Sequence, residues 1–190
     1  MVVLTLTPCV ARPTYSFSTP STMFAGELNL TLEVKNSDLA YYQINDGEKV
    51  SFFDKTSIKI GENVEPEETE KVTLFVGNGG HSKTKTMYYT KLKLVEGYVN
   101  VVNINPTYFE ENEVYIWAWN SSGLNVWTQD YELRDGTLLF DAEEIGATGC
   151  LLALMPKGYV VSIINAWDDA VTKQSGDIDP SKGFYVASGF

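Results

Sequence analysis

Apolar and polar residues alternate along much of the chain. Residues 28–34, Leu-Asn-Leu-Thr-Leu-Glu-Val, alternate cleanly with a period of two, which is the pattern of a β-strand with one buried face. Turn residues such as Asn45-Asp-Gly47 separate runs of this kind. No stretch has a convincing helical period. The sequence therefore predicts an all-β protein.

The runs divide into two similar sets of strands. They are predicted at 28–34, 40–44, 50–53, 57–60, 71–76, 84–90, 98–102, 113–120, 136–140, 150–155, 159–164 and 183–187. Each set has the size and rhythm of an immunoglobulin-like sandwich. We therefore expect two consecutive antiparallel β-sandwich domains, residues 1–94 and 95–190. No Pro-rich or low-complexity linker separates them, and the boundary is placed near Val95.

The predicted strand at 113–120 sorts its side chains by size. Its two faces carry Tyr115, Trp117 and Trp119 on one side, and Val114, Ile116 and Ala118 on the other. If the aliphatic face is buried, three rings lie towards the surface, where aromatic platforms bind flat, partly apolar ligands such as sugar rings. If the aromatic face is the core, only the small face lies outside. The strand alone leaves both arrangements open.

Composition favours binding over catalysis. The chain has 4 Trp, 11 Tyr and 9 Phe against 1 His and 14 Lys and Arg, so stacking groups are plentiful and catalytic bases are scarce. A formal net charge of −11 argues against nucleic acid or an anionic membrane surface as a partner, because both require clustered cations. A neutral ligand fits better, and no cofactor is expected.

The cysteines and the N-terminus bear on the setting of the protein. Cys9 and Cys150 are far apart, and two cysteines do not make a disulfide scaffold or a sulfur-based metal site. Residues 1–13 have no positive n-region and only a short apolar run, so they predict neither a signal peptide nor a membrane span. If Met1 is only an expression start, the chain is a piece of a longer secreted protein.

Four segments of the second half resemble a known family. They are Tyr108-Phe109, Val114–Asn120, Ile163–Asn165 and Thr172–Ile178. In this order they resemble the landmarks of the starch-binding modules of carbohydrate-binding families 25 and 26, which have a V-Y-x-Y-x-W strand and a late K-x-Q-T-x-D-L-like segment. The resemblance covers roughly residues 97–190. It implies a module appended to bacterial amylases and related surface proteins.

The first half has a fainter likeness. Residues 40–47, Phe52-Phe53 and residues 57–61 are similar to the immunoglobulin-like accessory domains of amylases and chitobiase-type proteins. That likeness implies a spacer, which in some members binds glycan.

The starch-binding resemblance implies a set of site residues. Its stacking rings fall on Tyr108 and Trp119, and its polar clamp on Lys173 and Gln174, with Asp177 nearby. Two rings at an angle can cradle the apolar surface of an α-glucan turn, while Lys and Gln reach the sugar hydroxyls.

The sequence leaves the roles of the three other tryptophans open. Trp117 either extends the platform or packs as core. Trp167 is either a loop anchor or a second ring at the site. Trp127 lies where related modules carry a W-P-G turn, but no Pro-Gly follows it.

The loop 168–179 contains four Asp without the D-x-D-x-D-G spacing, so we expect a solvated acidic loop and no metal site.

Catalysis has little support in the sequence. His81, the single histidine, lies in a Gly-rich turn without a motif around it. Glu143-Glu144 and Asp168-Asp169 are adjacent carboxylates that would point to opposite faces of a strand, and hydrolysis of a glycoside requires a pair across a cleft. We therefore expect a non-enzyme.

The sequence thus predicts a non-catalytic fragment that holds α-glucan, as starch, amylose or maltooligosaccharides. We expect it to belong to a secreted or cell-surface bacterial protein and to contact other domains of that parent. The alternative is a structural pair of immunoglobulin-like domains, a spacer or adhesin stalk. A glycosidase with an unrecognised site is a weaker third possibility.

Overall fold

The chain divides into two compact units. The computed structural model describes residues 10–159, 161, 170–188 and 190. The units are Met1–Lys93 and Leu94–Phe190, called unit 1 and unit 2 below. The division falls one residue before the expected start at Val95. Strands dominate both units, and the expected all-β fold is confirmed.

Unit 1 is a two-sheet sandwich. Its strands are β1 (Thr14–Phe17), β2 (Thr22–Phe24), β3 (Leu28–Lys35), β4 (Leu39–Ile44), β5 (Val50–Ser51), β6 (Lys55–Ile60), β7 (Thr69–Asn78) and β8 (His81–Lys91). One sheet has the order β1-β3-β6 and the other β2-β8-β7-β4-β5. In immunoglobulin sandwiches strands B and E share one sheet and strands C and F the other. The pairs β3–β6 and β4–β7 reproduce that arrangement.

The core of unit 1 follows from the alternation in its strands. In β3 and β7 every second side chain is apolar and buried, and these side chains meet between the sheets. They are Leu30, Leu32 and Val34 from β3, and Val72, Leu74 and Val76 from β7. Unit 1 therefore has a core of its own.

Unit 2 repeats this plan with two short α-helices and one 3-10 helix, Pro180–Lys182, added. Its elements are β9 (Val99–Val102), α1 (Thr107–Glu111), β10 (Asn112–Trp119), β11 (Asn125–Thr128), β12 (Glu132–Arg134), β13 (Thr137–Phe140), α2 (Ala142–Ile145), β14 (Gly149–Pro156), β15 (Lys173–Gln174) and β16 (Phe184–Val186). The sheet orders are β11-β10-β14-β15 and β12-β13-β9-β16. The pairs β9–β13 and β10–β14 match those of unit 1, and β16 runs parallel to β9.

The two α-helices of unit 2 were not predicted. Helix α2 begins at Asp141, whose carboxylate accepts hydrogen bonds from the backbone N–H groups of Glu143 and Glu144, and it ends at Gly146 with φ 76°. The expectation that Glu143 and Glu144 lie on a strand was therefore wrong, because Asp141 caps a helix there. No helix in the described residues is long and apolar enough to cross a membrane. The strand expected at 159–164 lies outside the described residues, apart from Tyr159 and Val161.

Strand β10 buries its aliphatic face. Val114, Ile116 and Ala118 are at most 1% exposed and belong to the main core of unit 2. Leu138 and Phe140 from the opposite sheet pack into the same core. Of the two arrangements that the sequence leaves open, the structure has the one that puts the aromatic residues on the outside of the sheet.

Cys150 on β14 lies in this core, and burial raises the pKa of its thiol from 9.0 to about 12. The thiol therefore stays protonated, and its contribution to stability is present below pH 9.0 and is lost as the pH rises through about 12.

We predict that Cys150 in the folded protein resists iodoacetamide at mildly alkaline pH, because alkylation requires an accessible thiolate. In urea it should react fully. Peptide mapping by mass spectrometry separates its labelling from that of Cys9. Equal labelling rates for Cys150 with and without urea would contradict its burial.

Candidate functional site

The outside of the β10 sheet carries a row of aromatic residues. Tyr115, Trp117 and Trp119 alternate with the buried aliphatic residues, so they point away from the core. Trp127 on β11 pairs with Trp117 and therefore lies on the same side. We call these four residues the aromatic face.

Three residues of the aromatic face, Tyr115, Trp117 and Trp127, contact one another. The ring centroids of Trp117 and Trp127 are 4.7 Å apart, and Tyr115 meets Trp127 edge-on at 6.4 Å. The Tyr115 hydroxyl donates a hydrogen bond to the Tyr159 carbonyl at 3.1 Å. These rings cover buried residues of β14, among them Leu151 and Met155. They form a second, smaller apolar cluster, in which each ring stays half-buried.

Trp119 differs from its neighbours. It pairs with Gly149 across the sheet, and a Cβ placed on Gly149 would lie 2.8 Å from its Cζ2 atom and closer still to Nε1 and Cε2. The three atoms are adjacent along the N–H edge of the indole, so this part of the ring system covers the space that a side chain at position 149 would take. Within the described part of the chain, Trp119 stacks on no other ring. Trp119 is half-buried, so the rest of its indole is the ring surface considered below for a ligand.

A groove runs beside the aromatic face. It has a volume of about 460 Å³ and is lined by Tyr115, Asn125, Val126, Trp127, Thr128, Gln129 and Val161. Asn125 is the β11 partner of Trp119, so one lining residue neighbours Trp119 in the sheet, although Trp119 itself does not line the groove. Its walls combine rings with amide and hydroxyl groups, which is the composition of small-molecule sites of this size.

Tyr108 and Lys173 are brought together elsewhere. The Lys173 ammonium donates a hydrogen bond to the Tyr108 hydroxyl at 2.7 Å and lies 5.1 Å from the centroid of the same ring. The ring also packs edge-on against Phe190, at 5.4 Å. Lys173 pairs with Leu154, whose side chain is in the main core. The Tyr108–Lys173 pair therefore lies on the opposite side of the sheet from the aromatic face.

Gln174 lies on the other side of the same edge strand. It pairs with Ala153, the residue next to Tyr115 in the sheet, so it shares the side of the aromatic face. Gln174 lies level with Tyr115, and Tyr115 and Trp119 are four residues apart on β10. The distance between Gln174 and Trp119 along the strand direction is therefore about 13 Å. Lys173 and Gln174 thus point to opposite sides of the sheet, and the expected clamp is divided.

Two residues expected at or near the site remain, Trp167 and Asp177. Trp167 lies outside the described residues, and Asp177 is exposed. Trp127 and Asn125 line the groove although the sequence analysis did not place them in the site. The alternation in Asn125-Val-Trp-Thr128, read as a strand beside β10, is the signal that could have placed them there.

Electrostatics disfavour an anionic ligand for unit 2. Residues 94–190 hold 14 of the 25 acidic residues but only 4 of the 14 Lys and Arg, a net charge of −10. A hydrogen bond from Gln129, supported by the Gly158 N–H, lowers the pKa of the Glu113 carboxyl, so this group beside the groove stays ionised at neutral pH. An anionic ligand would be repelled.

The described residues contain no group of three or more His, Cys, Asp and Glu side chains that could hold a metal ion. Asp168 and Asp169 lie outside these residues.

Comparisons with known proteins point to no family. No protein-family model matches the chain, and no curated protein matches it. Among solved structures, the titin domains Z1Z2 in complex with telethonin show 13% identity over 82% of this chain and 92% of that chain, with a TM-score of 0.33. A chimeric titin Z1Z2 with an exogenous decorin peptide shows 12% identity over 78% and 92%, at a TM-score of 0.33.

The neural ectodermal development factor IMP-L2 shows 11% identity over 93% of this chain and 95% of that chain, at a TM-score of 0.28. Similarities at this level do not bear on what the chain binds.

The difference between Trp117 and Trp119 can be tested by unfolding. We predict that Trp117→Ala lowers the free energy of unfolding by about 3 kcal/mol, because it removes a ring packed in the outer cluster. Trp119→Ala should cost less, about 1 kcal/mol, since Trp119 stacks on no other ring among the described residues. Urea titration followed by circular dichroism measures both, and a larger loss for Trp119→Ala would contradict this assignment.

Proposed function

We propose that this chain is a non-catalytic fragment that binds α-glucan through the aromatic face of unit 2. The proposal rests on one observation: β10 buries its aliphatic side, which leaves the half-buried Trp119 on the outside of the sheet against Gly149. A groove lined by Tyr115 and Trp127 lies beside the same aromatic face. A glucan turn offers an apolar surface of C–H groups that can stack on such a ring, and hydroxyls that need hydrogen-bond partners.

The polar partners come from the groove and from β15. Asn125 and the amide oxygen of Gln129 supply polar groups along the groove, since the Gln129 NH2 already donates to Glu113. Gln174 lies on the same side of the sheet as the aromatic face. Lys173 donates to Tyr108 on the opposite side of the sheet, so this proposal leaves both residues outside the site. The choice of α-glucan among neutral glycans rests on the resemblance of residues 97–190 to starch-binding modules. On the same resemblance we propose that the parent protein is bacterial and either secreted or on the cell surface.

A structural spacer or adhesin pair is the second candidate. It is favoured by the contacts among Tyr115, Trp117 and Trp127, which stabilise the sheet without any ligand. The two functions differ in one property that is simple to measure, namely retardation by a polysaccharide.

The test is native electrophoresis of the full chain in gels with and without amylopectin. The wild-type protein should be retarded by amylopectin. Trp119→Ala should lose most of this retardation, because one stacked ring contributes about 1–3 kcal/mol to the binding of a planar ligand. Tyr88→Ala is the control, since Tyr88 is a ring of unit 1 that is 53% exposed. Equal mobility of the wild type in both gels would favour the spacer.

Binding should also be nearly indifferent to salt and to chelators. A neutral glucan releases no counterions, so its affinity has no reason to follow ionic strength. We expect the dissociation constant for maltoheptaose, measured by calorimetry, to change less than about twofold between low and high NaCl. Abolition of binding by EDTA would instead indicate a calcium site and contradict the expectation of a solvated loop at 168–179.

A further inference from the structure

Gly149 lies at the start of β14, directly beneath the Trp119 indole. We propose that Gly149 is a positioning residue: the space left by its missing side chain sets the orientation of Trp119, and hence of the surface on which a sugar ring stacks. This inference rests on the proposed function, in which Trp119 contacts the glucan.

The need for glycine at this position comes from space and not from backbone conformation. Gly149 is buried, and it is not among the glycines with positive φ, unlike Gly146 three residues earlier. An alanine could therefore adopt its backbone angles without strain. Its methyl group, however, would lie 2.8 Å from Trp119 Cζ2, which is too close for two carbon atoms that are not bonded. The indole would have to leave its place.

The backbone on both sides of the pair is held in place, so it cannot absorb the clash. The Trp119 carbonyl accepts a hydrogen bond from Thr148 N–H at 2.9 Å. The Asn120 side chain accepts from Ser122 N–H at 2.8 Å and donates to the Gly146 carbonyl at 2.7 Å. Because these bonds fix the strand ends, the added methyl group acts on the indole rotamer. Rotation of the indole would change the orientation of its solvent-exposed surface relative to the sheet.

The experiment compares Gly149→Ala with a matched glycine substitution. Gly176→Ala is the control, because a methyl group there would meet only the Tyr185 hydroxyl at an ordinary 3.4 Å. We expect maltoheptaose affinity to fall about 10-fold in Gly149→Ala and to stay within about twofold in Gly176→Ala. In a Trp119→Ala background, Gly149→Ala should cause no further loss, since the ring on which it acts is gone.

The outcomes separate the inference from the proposed function. Unchanged affinity in Gly149→Ala, or an equal loss in both backgrounds, would overturn the positioning role. If the wild type binds no maltoheptaose, the proposed function fails, and near-ultraviolet circular dichroism still tests the role of Gly149. The spectral change caused by Gly149→Ala must then disappear in the Trp119→Ala background, and a change that persists there overturns the inference.

If Gly149→Ala does not fold, the double variant Trp119→Phe/Gly149→Ala decides the question. The smaller ring leaves room for the methyl group, so the double variant should fold. Failure of this rescue would show that Gly149 is required for a reason other than the indole.

Discussion

Unit 2 depends on which face of β10 lies in its core. Side chains alternate along a strand, so packing one face of β10 between the sheets turns its other face to the outside of the sandwich. The gap between two packed sheets is about 10 Å, and Leu138 and Phe140 already fill much of it from the opposite side. Residues of the size of Val114, Ile116 and Ala118 fit the remaining space, whereas three large rings would not. The outside positions of Tyr115, Trp117 and Trp119 follow from this limit.

The aromatic face that results has two parts with different physical roles. Tyr115, Trp117 and Trp127 lie in contact and cover Leu151 and Met155, so their rings contribute to the stability of the sheet. Trp119 also packs against this cluster, but it covers a glycine and stacks on no ring in the described residues. A cross-strand Trp–Gly pair also protects the backbone of the sheet. Trp119 can serve this purpose and still present a surface for stacking.

The sequence carried much of the fold because period-two alternation reports directly on burial. Strand β3 was found almost to the residue for that reason. Helix α2 was missed, because four residues are too few to show a helical period and its signal lies in the cap, Asp141. Strand β15 was missed because two exposed polar residues, Lys173 and Gln174, show no hydrophobic pattern. That omission concealed their opposite orientations. Nothing in a single sequence shows that Trp119 faces Gly149, since their pairing joins residues thirty positions apart in the chain.

The central claim is that the outside of unit 2 binds glucan through Trp119. Nuclear magnetic resonance of the indole N–H groups of the 4 tryptophans, assigned by single Trp→Phe variants, tests it most directly during a titration with maltoheptaose. The account predicts that the Trp119 signal shifts most, that the Trp127 signal beside the groove shifts with it, and that both saturate together. A titration in which neither signal moves, or in which only backbone signals of unit 1 respond, would contradict it.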